Sequence, residues 1–394
     1  MTLIVRHLHA AGYRSLRAIR LPLGRLNVLA GGNGVGKTNL YRALLLVQAA
    51  AAGTLSGTLA AEGGMESALW AGRRMMKQPA RIVLEVELGP PEDGAPGYRY
   101  AVAVGLVPSY IPEDEPERRT AAGAFPLEPQ VKEETLVFQD RRRPVRLLER
   151  RGPHVAIRDE DGGRDAFGSE LMASETALAA VADPARCPDL HVIRRTMLDW
   201  RFYHELRTDA AAPLRRPCLA VTSPTLDADG ANLAAVFATL VHIREDTAEL
   251  DRAIADAFPG ARLVVPLPGR TASFGLVLPD HPKRVFEAGE LSDGTLRYLA
   301  LAGVLLAYRL PALIALNEPE TSLHPDLLDP LARLIARAAE RTQIWLVTHS
   351  ERLAAALARH GGASPRTVVK RGGETWIEGL RIGGDFAEDE GPDV

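Results

Sequence analysis

The sequence predicts an α/β fold in which a parallel sheet presents a phosphate loop, joined to an antiparallel β subdomain and an inserted helical lobe. Three observations carry that prediction. An apolar strand at residues 25–30 runs straight into Gly31-x-x-x-x-Gly36-Lys37-Thr38 and a helix that stops at Gly53. Two more apolar strands, at 312–317 and 343–348, alternate with helices. Between these ends the hydrophobic period is two over residues 81–107 and 134–157, then helical from 169 to 258.

Each element follows in order. Residues 3–9 and 18–23 read as short strands before the one at 25–30. RIVLEVELG and YRYAVAVGLV are strands between Pro/Gly turns, while VPSYIPEDEPERRTAAGAFPLEPQ reads as a long exposed loop. ETALAAVA, LHVIRRTMLDWRFYHEL, ANLAAVFATLVHI and TAELDRAIADAF are the amphipathic helices expected in the lobe. Strands return at 262–267, 273–278 and 284–288. Helices then begin at Ser292 (stopped by Pro311), Pro325 and Glu351, TVVKRGGETWIEGL reads as a hairpin, and GGDFAEDEGPDV as a disordered acidic tail. The expected division is an N-terminal half at 1–168, a helical lobe at 169–260, a C-terminal half at 261–380 and a tail at 381–394.

A chain of 394 residues, 46% hydrophobic and 25% charged, has room for a large core with an insertion. The net charge of −3 lacks the basic excess that non-specific DNA binders advertise, although it does not exclude a local basic patch. Two cysteines, Cys187 and Cys218, stand outside any C-x-x-C spacing, which argues against a disulfide framework or structural zinc and fits a reducing cytosol. No signal-peptide core and no apolar run of membrane-spanning length occurs, so a cytoplasmic location is expected.

The chemistry concentrates in four segments. In GGNGVGKTN, glycines Gly31, Gly34 and Gly36 let backbone N–H groups wrap phosphates at a helix N-terminus. Lys37 is expected on the β- and γ-phosphates, and the Thr38 hydroxyl on Mg²⁺. Asn39 completes the set, and Asn33 either approaches the γ-phosphate or stabilises the turn. In LIALNEPETSLHP, Glu318 follows a buried strand and is the best candidate for the base that orients the attacking water. Glu320 is the alternative, and with Pro319 between them in an extended segment the two carboxylates are expected to diverge. Asn317 stands where an aspartate would add charge to the metal's outer shell. It keeps an oxygen acceptor for a metal-bound water, so weaker metal affinity is expected rather than an abolished site. LVTHS places His349 at the C-terminal edge of the same sheet, where ligands of doubly wound folds bind, so it is expected to contact the γ-phosphate, directly or through water, a structural histidine being the alternative. In ELSDGTLRYLALAGVLL, Ser292 or Asp293 caps a helix and Gly294 permits close backbone approach.

That order of segments resembles ABC-type ATPases, whose LSGGQ signature is matched at Leu291, Ser292 and Gly294, with Asp293 and Thr295 as departures. GYRSL, LNVLAGGNGVGKTNLYRAL, LSDGT, NEPETSLHP and LVTHS look like the RecF/SMC-like branch, closest to stand-alone bacterial ATPases related to the OLD family. The resemblance implies ATP with Mg²⁺ as ligands, and a homodimer in which the signature helix of one subunit closes on the nucleotide of the other. Ser292 and Gly294 would then face phosphate, and Asp293 would turn back to its own helix N–H groups. It also implies that Arg14 approaches the nucleotide, a surface arginine being the alternative; Gln78 is a weak candidate for the glutamine loop, and Gln48 a helix position. The long gap before the signature disfavours a transporter subunit, and the 45 residues after His349 are too few for a Toprim nuclease domain, so no intrinsic nuclease is expected.

Two functions are therefore expected. One is an ATP-hydrolysing dimer of slow turnover, acting on DNA or an effector protein in DNA repair or phage defence. The other is an ATP-dependent dimerisation switch that barely hydrolyses and regulates a partner. RRRPVRLLERRG and RRTMLDWRFYHELR mark a DNA-contacting face or, equally, a solvated face and helix-core packing.

Overall fold

In the computed structural model of the protein, residues 3–72, 80–92, 94–106, 125, 127–140, 143–158, 163–166, 171–181, 183–245 and 247–386 are described. The chain divides into two units: Met1–Gly24, Gly32–Trp200 and Val368–Val394 form the first, Arg25–Gly31 and Arg201–Thr367 the second. Residues expected as one helical lobe are shared between them, those up to Trp200 in the first and those from Arg201 in the second. No helix among the described residues is long and apolar enough to cross a membrane.

Three strands open the chain: β1 (Ile4–Tyr13), β2 (Leu16–Pro22) and β3 (Leu26–Ala30), the last belonging to the second unit. In the first unit α1 (Lys37–Ala52) ends at Gly53, whose φ of 80° suits a residue without a side chain. Two short helices follow, α2 (Leu55–Ala61) and α3 (Gly64–Ala68). The two-residue alternation then yields β4 (Arg81–Gly89), β5 (Gly97–Gly105), β6 (Gln130–Gln139), β7 (Val145–Arg151), β8 (His154–Arg158) and β9 (Arg164–Ala166). With β1 and β2 these make an antiparallel sheet in the order β2-β1-β4-β5-β6-β7-β8-β9. Glu134 and Arg150 are buried in this unit. Glu134 accepts from Tyr100 and from the first N–H groups of α4 (Ala177–Ala180), and Arg150 donates to the carbonyls of Gly152, Met172 and Glu175. The unit also holds α5 (Pro188–Leu198).

The second unit is built on parallel strands. β10 (Arg201–Tyr203), β16 (Leu313–Asn317), β17 (Gln343–Thr348) and β3 lie side by side in that order, and Arg366 and Thr367 of β18 (Arg366–Arg371) extend the sheet beside β3. Between β10 and β16 come β11 (Cys218–Leu219), α6 (Leu233–Thr239), α7 (Ala248–Ala257), β12 (Arg262–Val264), β13 (Thr271–Ala272), β14 (Gly275–Val277), β15 (Val285–Glu287) and α8 (Asp293–Leu306). Helices α9 (Leu328–Ala339) and α10 (Glu351–Gly361) follow β16 and β17. Every residue of β16 and β17 is buried, as continuous apolar runs in parallel sheets require, and Ile314, Leu316, Ile344 and Leu346 share one core cluster with Leu299 of α8 and Leu353 of α10.

Two segments depart from the sequence reading. RFY, expected to prolong a helix, is strand β10, pairing Arg201 with Ile314 and Tyr203 with Leu316; its aromatics suit a sheet edge, and the helix ends at Leu198. Residues 381–386, expected in the disordered tail, form a turn closed by a Leu380–Phe386 bridge, because Phe386 is apolar enough to bury itself. The rest of that tail and nearly all of the proline-rich loop lie outside the described residues. In the first unit Val368–Arg371 of β18 and β19 (Glu374–Ile377) form the expected hairpin.

Candidate nucleotide-binding site

Gly31 follows β3, and the loop after it turns into α1 through two left-handed glycines, Gly34 (φ 77°) and Gly36 (φ 98°). Gly36 is the helix N-cap, so no side chain caps α1 and no acid occupies its first turn. A Cβ on Gly36 would collide with Thr375 Oγ1 and Ser15 Oγ. Those two hydroxyls, 2.6 Å apart, form the backing of the loop: Thr375 donates to the Val35 carbonyl (2.8 Å), and Asn39 Nδ2 donates to Ser15 (2.6 Å). Asn39 is thus engaged behind the loop. Lys37 is buried and its ammonium donates to the Gly32 carbonyl at 2.7 Å; Gly32, Asn33 and Gly34 are exposed, and Thr38 is half-buried. Arg14, itself at φ 47°, is held by Glu62 through Nε and Nη2 (3.2 and 2.8 Å), as are Tyr13 and Arg42. Burial, reinforced by that hydrogen bond, pushes the Tyr13 hydroxyl pKa upward.

In the second unit the register of the parallel strands sets three chain exits side by side. Ala30 stands opposite Thr348, and Asn317 opposite Val347, so Gly31, Glu318 and His349 all leave the same sheet edge. Asn317 is buried and its Oδ1 has no hydrogen-bond partner among the described residues, an orphaned acceptor that fits a water on a divalent cation. Glu318 takes a left-handed backbone (φ 48°), its N–H donating to the Val347 carbonyl and its carbonyl accepting from Thr321 N–H. That turn overturns the expectation of diverging carboxylates. With φ reversed at Glu318, Glu320 folds back, and both acids approach His349 Nδ1, Glu318 Oε1 at 3.6 Å and Glu320 Oε1 at 3.2 Å. Glu320 is buried, whereas the Glu318 side chain keeps 34% of its surface exposed.

At the signature segment Ser292 is the cap of α8, accepting from Thr295 N–H at 3.2 Å. Asp293 does not turn back to its own helix. It pairs with Arg215, whose guanidinium also donates to the carbonyls of Leu291, Gly289 and Thr208, so the nearest cation outcompetes the helix N–H groups. A Cβ on Gly294 would lie 2.9 Å from the Ser322 carbonyl, so only glycine lets α8 meet the turn after the carboxylates. One turn further, buried Arg297 donates to the Leu206 and Glu318 carbonyls (2.5 and 3.3 Å), and its pKa is drawn down by burial against the charge of Glu320.

Arg215, Arg297, Glu62 and Thr375 were not singled out by sequence reasoning; the first three left only the charge of isolated residues and Thr375 left no trace, since their partners lie far along the chain. Gln48 donates to the Met197 and Trp200 carbonyls, a packing role on α1, and Gln78 lies outside the described residues. Of the basic segments, Arg150, Trp200 and Tyr203 are buried, which favours core packing over a nucleic-acid face for those three.

The parallel sheet with its strands ending at Gly31, Glu318 and His349, and the antiparallel sheet of the other unit, give the fold of a P-loop NTPase of ABC type. The family model described as "AAA domain, putative AbiEii toxin, Type IV TA system" matches residues 26–355, and the chain belongs to this family. Its fold is similar to that of the Smc head domain with an extended coiled coil, bound to the C-terminal domain of ScpA and derived from Pyrococcus furiosus. There the TM-score is 0.50 at 12% identity, covering 95% of this chain and 96% of that one. The Smc head domain with a coiled coil and joint from Pyrococcus yayanosii gives 0.49 at 12% identity, over 97% and 98% of the two chains. No curated protein matches the sequence.

Proposed function

We propose that the protein binds and slowly hydrolyses ATP, and that ATP draws two copies into a sandwich through Ser292 and Gly294. The observation that carries this reading is the shared sheet edge, where Gly31, Asn317–Glu318 and His349 exit together. In it the backbone of residues 31–36 and Lys37 hold phosphates, with Asn33 at the open side of the loop. Asn39 supports the loop through Ser15, and Arg14 is presented by Glu62. Glu318 orients and deprotonates the attacking water, a role worth about 10² to 10⁴ in rate. Thr38 and Asn317 would hold Mg²⁺, the latter through water; the ion supplies charge neutralisation of the phosphates. The orphaned Asn317 Oδ1 supports that assignment.

Phosphate release by the purified chain, beside Lys37→Ala and Glu318→Gln, tests the hydrolytic reading. We expect a measurable rate that both variants abolish. Equal rates near background in all three would overturn it and leave the alternative, a dimerisation switch that regulates a partner, which Asn317 in place of an acid favours. Kinship with the OLD family, a role in DNA repair or phage defence, and action on DNA or an effector protein complete the proposal. ATPase stimulation by DNA, or salt-dependent DNA binding, tests the nucleic-acid part, and absence of both at low salt would sink it. No nuclease activity is proposed; cleavage of plasmid DNA by the purified chain would contradict that.

A further inference from the structure

Glu320 has no part in the reaction as described so far, yet it is among the most constrained groups of the second unit. Its Oε1 accepts from Thr348 Oγ1 (2.5 Å), from the backbone N–H groups of His349 (3.0 Å) and Ser350 (3.2 Å), and stands 3.2 Å from His349 Nδ1. The two backbone N–H groups can only donate, so Oε1 meets them as an acceptor and carries no hydrogen there. The hydrogen of the remaining contact therefore sits on the ring nitrogen.

We propose that Glu320 is a positioning residue that fixes His349 as the Nδ1–H tautomer and leaves the Nε2 lone pair on the reacting side. This rests on the ATPase reading above. The consequence is specific. A lone pair is repelled by a phosphate oxygen and attracted by a water O–H, so in this tautomer His349 meets the γ-phosphate through the attacking water rather than directly. Glu318, whose Oε1 lies 3.6 Å from the same nitrogen, is outside hydrogen-bonding distance and keeps its carboxylate for that water. Two acids converge on one ring: the buried one orients it, and the half-exposed one is free for chemistry.

The test is long-range ¹H–¹⁵N NMR of the full chain labelled with ¹⁵N-histidine, with His349→Asn identifying the signals, alongside steady-state ATPase kinetics. The expected wild-type spectrum shows His349 protonated on Nδ1. Glu320→Ala is expected to move the ring to the Nε2–H form and to lower kcat about 10- to 100-fold, by analogy with the loss of the orienting partner of a metal-bound histidine, with little change in KM. Glu320→Gln keeps an acceptor oxygen for the two N–H groups and is expected to restore the tautomer and part of kcat. A wild-type His349 protonated on Nε2 overturns the proposal, as does a Glu320→Ala protein that loses kcat while staying in the Nδ1–H form. If Glu320→Ala does not fold, the wild-type and Glu320→Gln spectra decide. The spectrum needs no turnover, so a wild-type protein without ATPase activity would count against the hydrolytic reading alone.

Discussion

Gly36 shows how much of the phosphate loop is decided by a single atom. Its φ of 98° is strained for any L side chain, and a Cβ there would strike Thr375 and Ser15. Gly36→Ala therefore has to displace the loop or its backing at a strain of about 1 to 3 kcal/mol. We expect it to weaken nucleotide binding by about tenfold or more, measured with a fluorescent ATP analogue, while the melting temperature falls only slightly. The motif made Gly36, Lys37 and Thr38 legible from sequence. What was not legible is why the glycine is needed here, because Thr375 lies at the other end of the chain. Glu318 carries the same lesson. Its position after an apolar strand announced an acid at the sheet edge, but its left-handed backbone, which brings Glu320 to the same histidine, depends on hydrogen bonds that no local pattern encodes.

At the scale of elements, long apolar or strictly alternating runs and the Gly-turned hairpin were legible, and segments that admit two readings were not. β16 and β17 are buried on both faces and admit one reading. RFY satisfies helical and strand spacing alike, and its fate was settled by β16, whose free edge it joins. The start of α8 belongs to the second group. Ser292 and Asp293 were equal candidates for the cap, and Arg215, seventy-odd residues earlier, decided between them by taking the aspartate. Its hydrogen bonds to backbone carbonyls reach Leu291, Gly289 and Thr208. Arg215→Ala should destabilise the second unit by about 2 to 3 kcal/mol in urea denaturation, the range for losing charge-assisted hydrogen bonds. Asp293→Asn, at an exposed partner, should cost under about 1 kcal/mol. Equal losses from the two would show that the ion pair, not the carbonyl clamp, fixes the signature segment.

For the molecule as a whole, the expected readout is assembly. With ATP and Mg²⁺, Glu318→Gln should double its mass in light scattering after size-exclusion chromatography, and Lys37→Ala should stay monomeric; a Glu318→Gln protein that remains monomeric with nucleotide would remove the sandwich from the proposal. The fold class was visible in the sequence because strand, loop and signature occur in a fixed order, whereas the division into two units was not, because each unit is assembled from separated stretches of chain. That arrangement bears on biosynthesis. Ser15, Val35, Asn39 and Thr375 form one hydrogen-bonded set, and Thr375 is synthesised 340 residues after Val35. A nascent chain halted before β19 carries the whole phosphate-loop motif without the Thr375 half of its backing. Closure of the loop's backing thus waits for β19, whereas the Ser15–Asn39 contact can form without it.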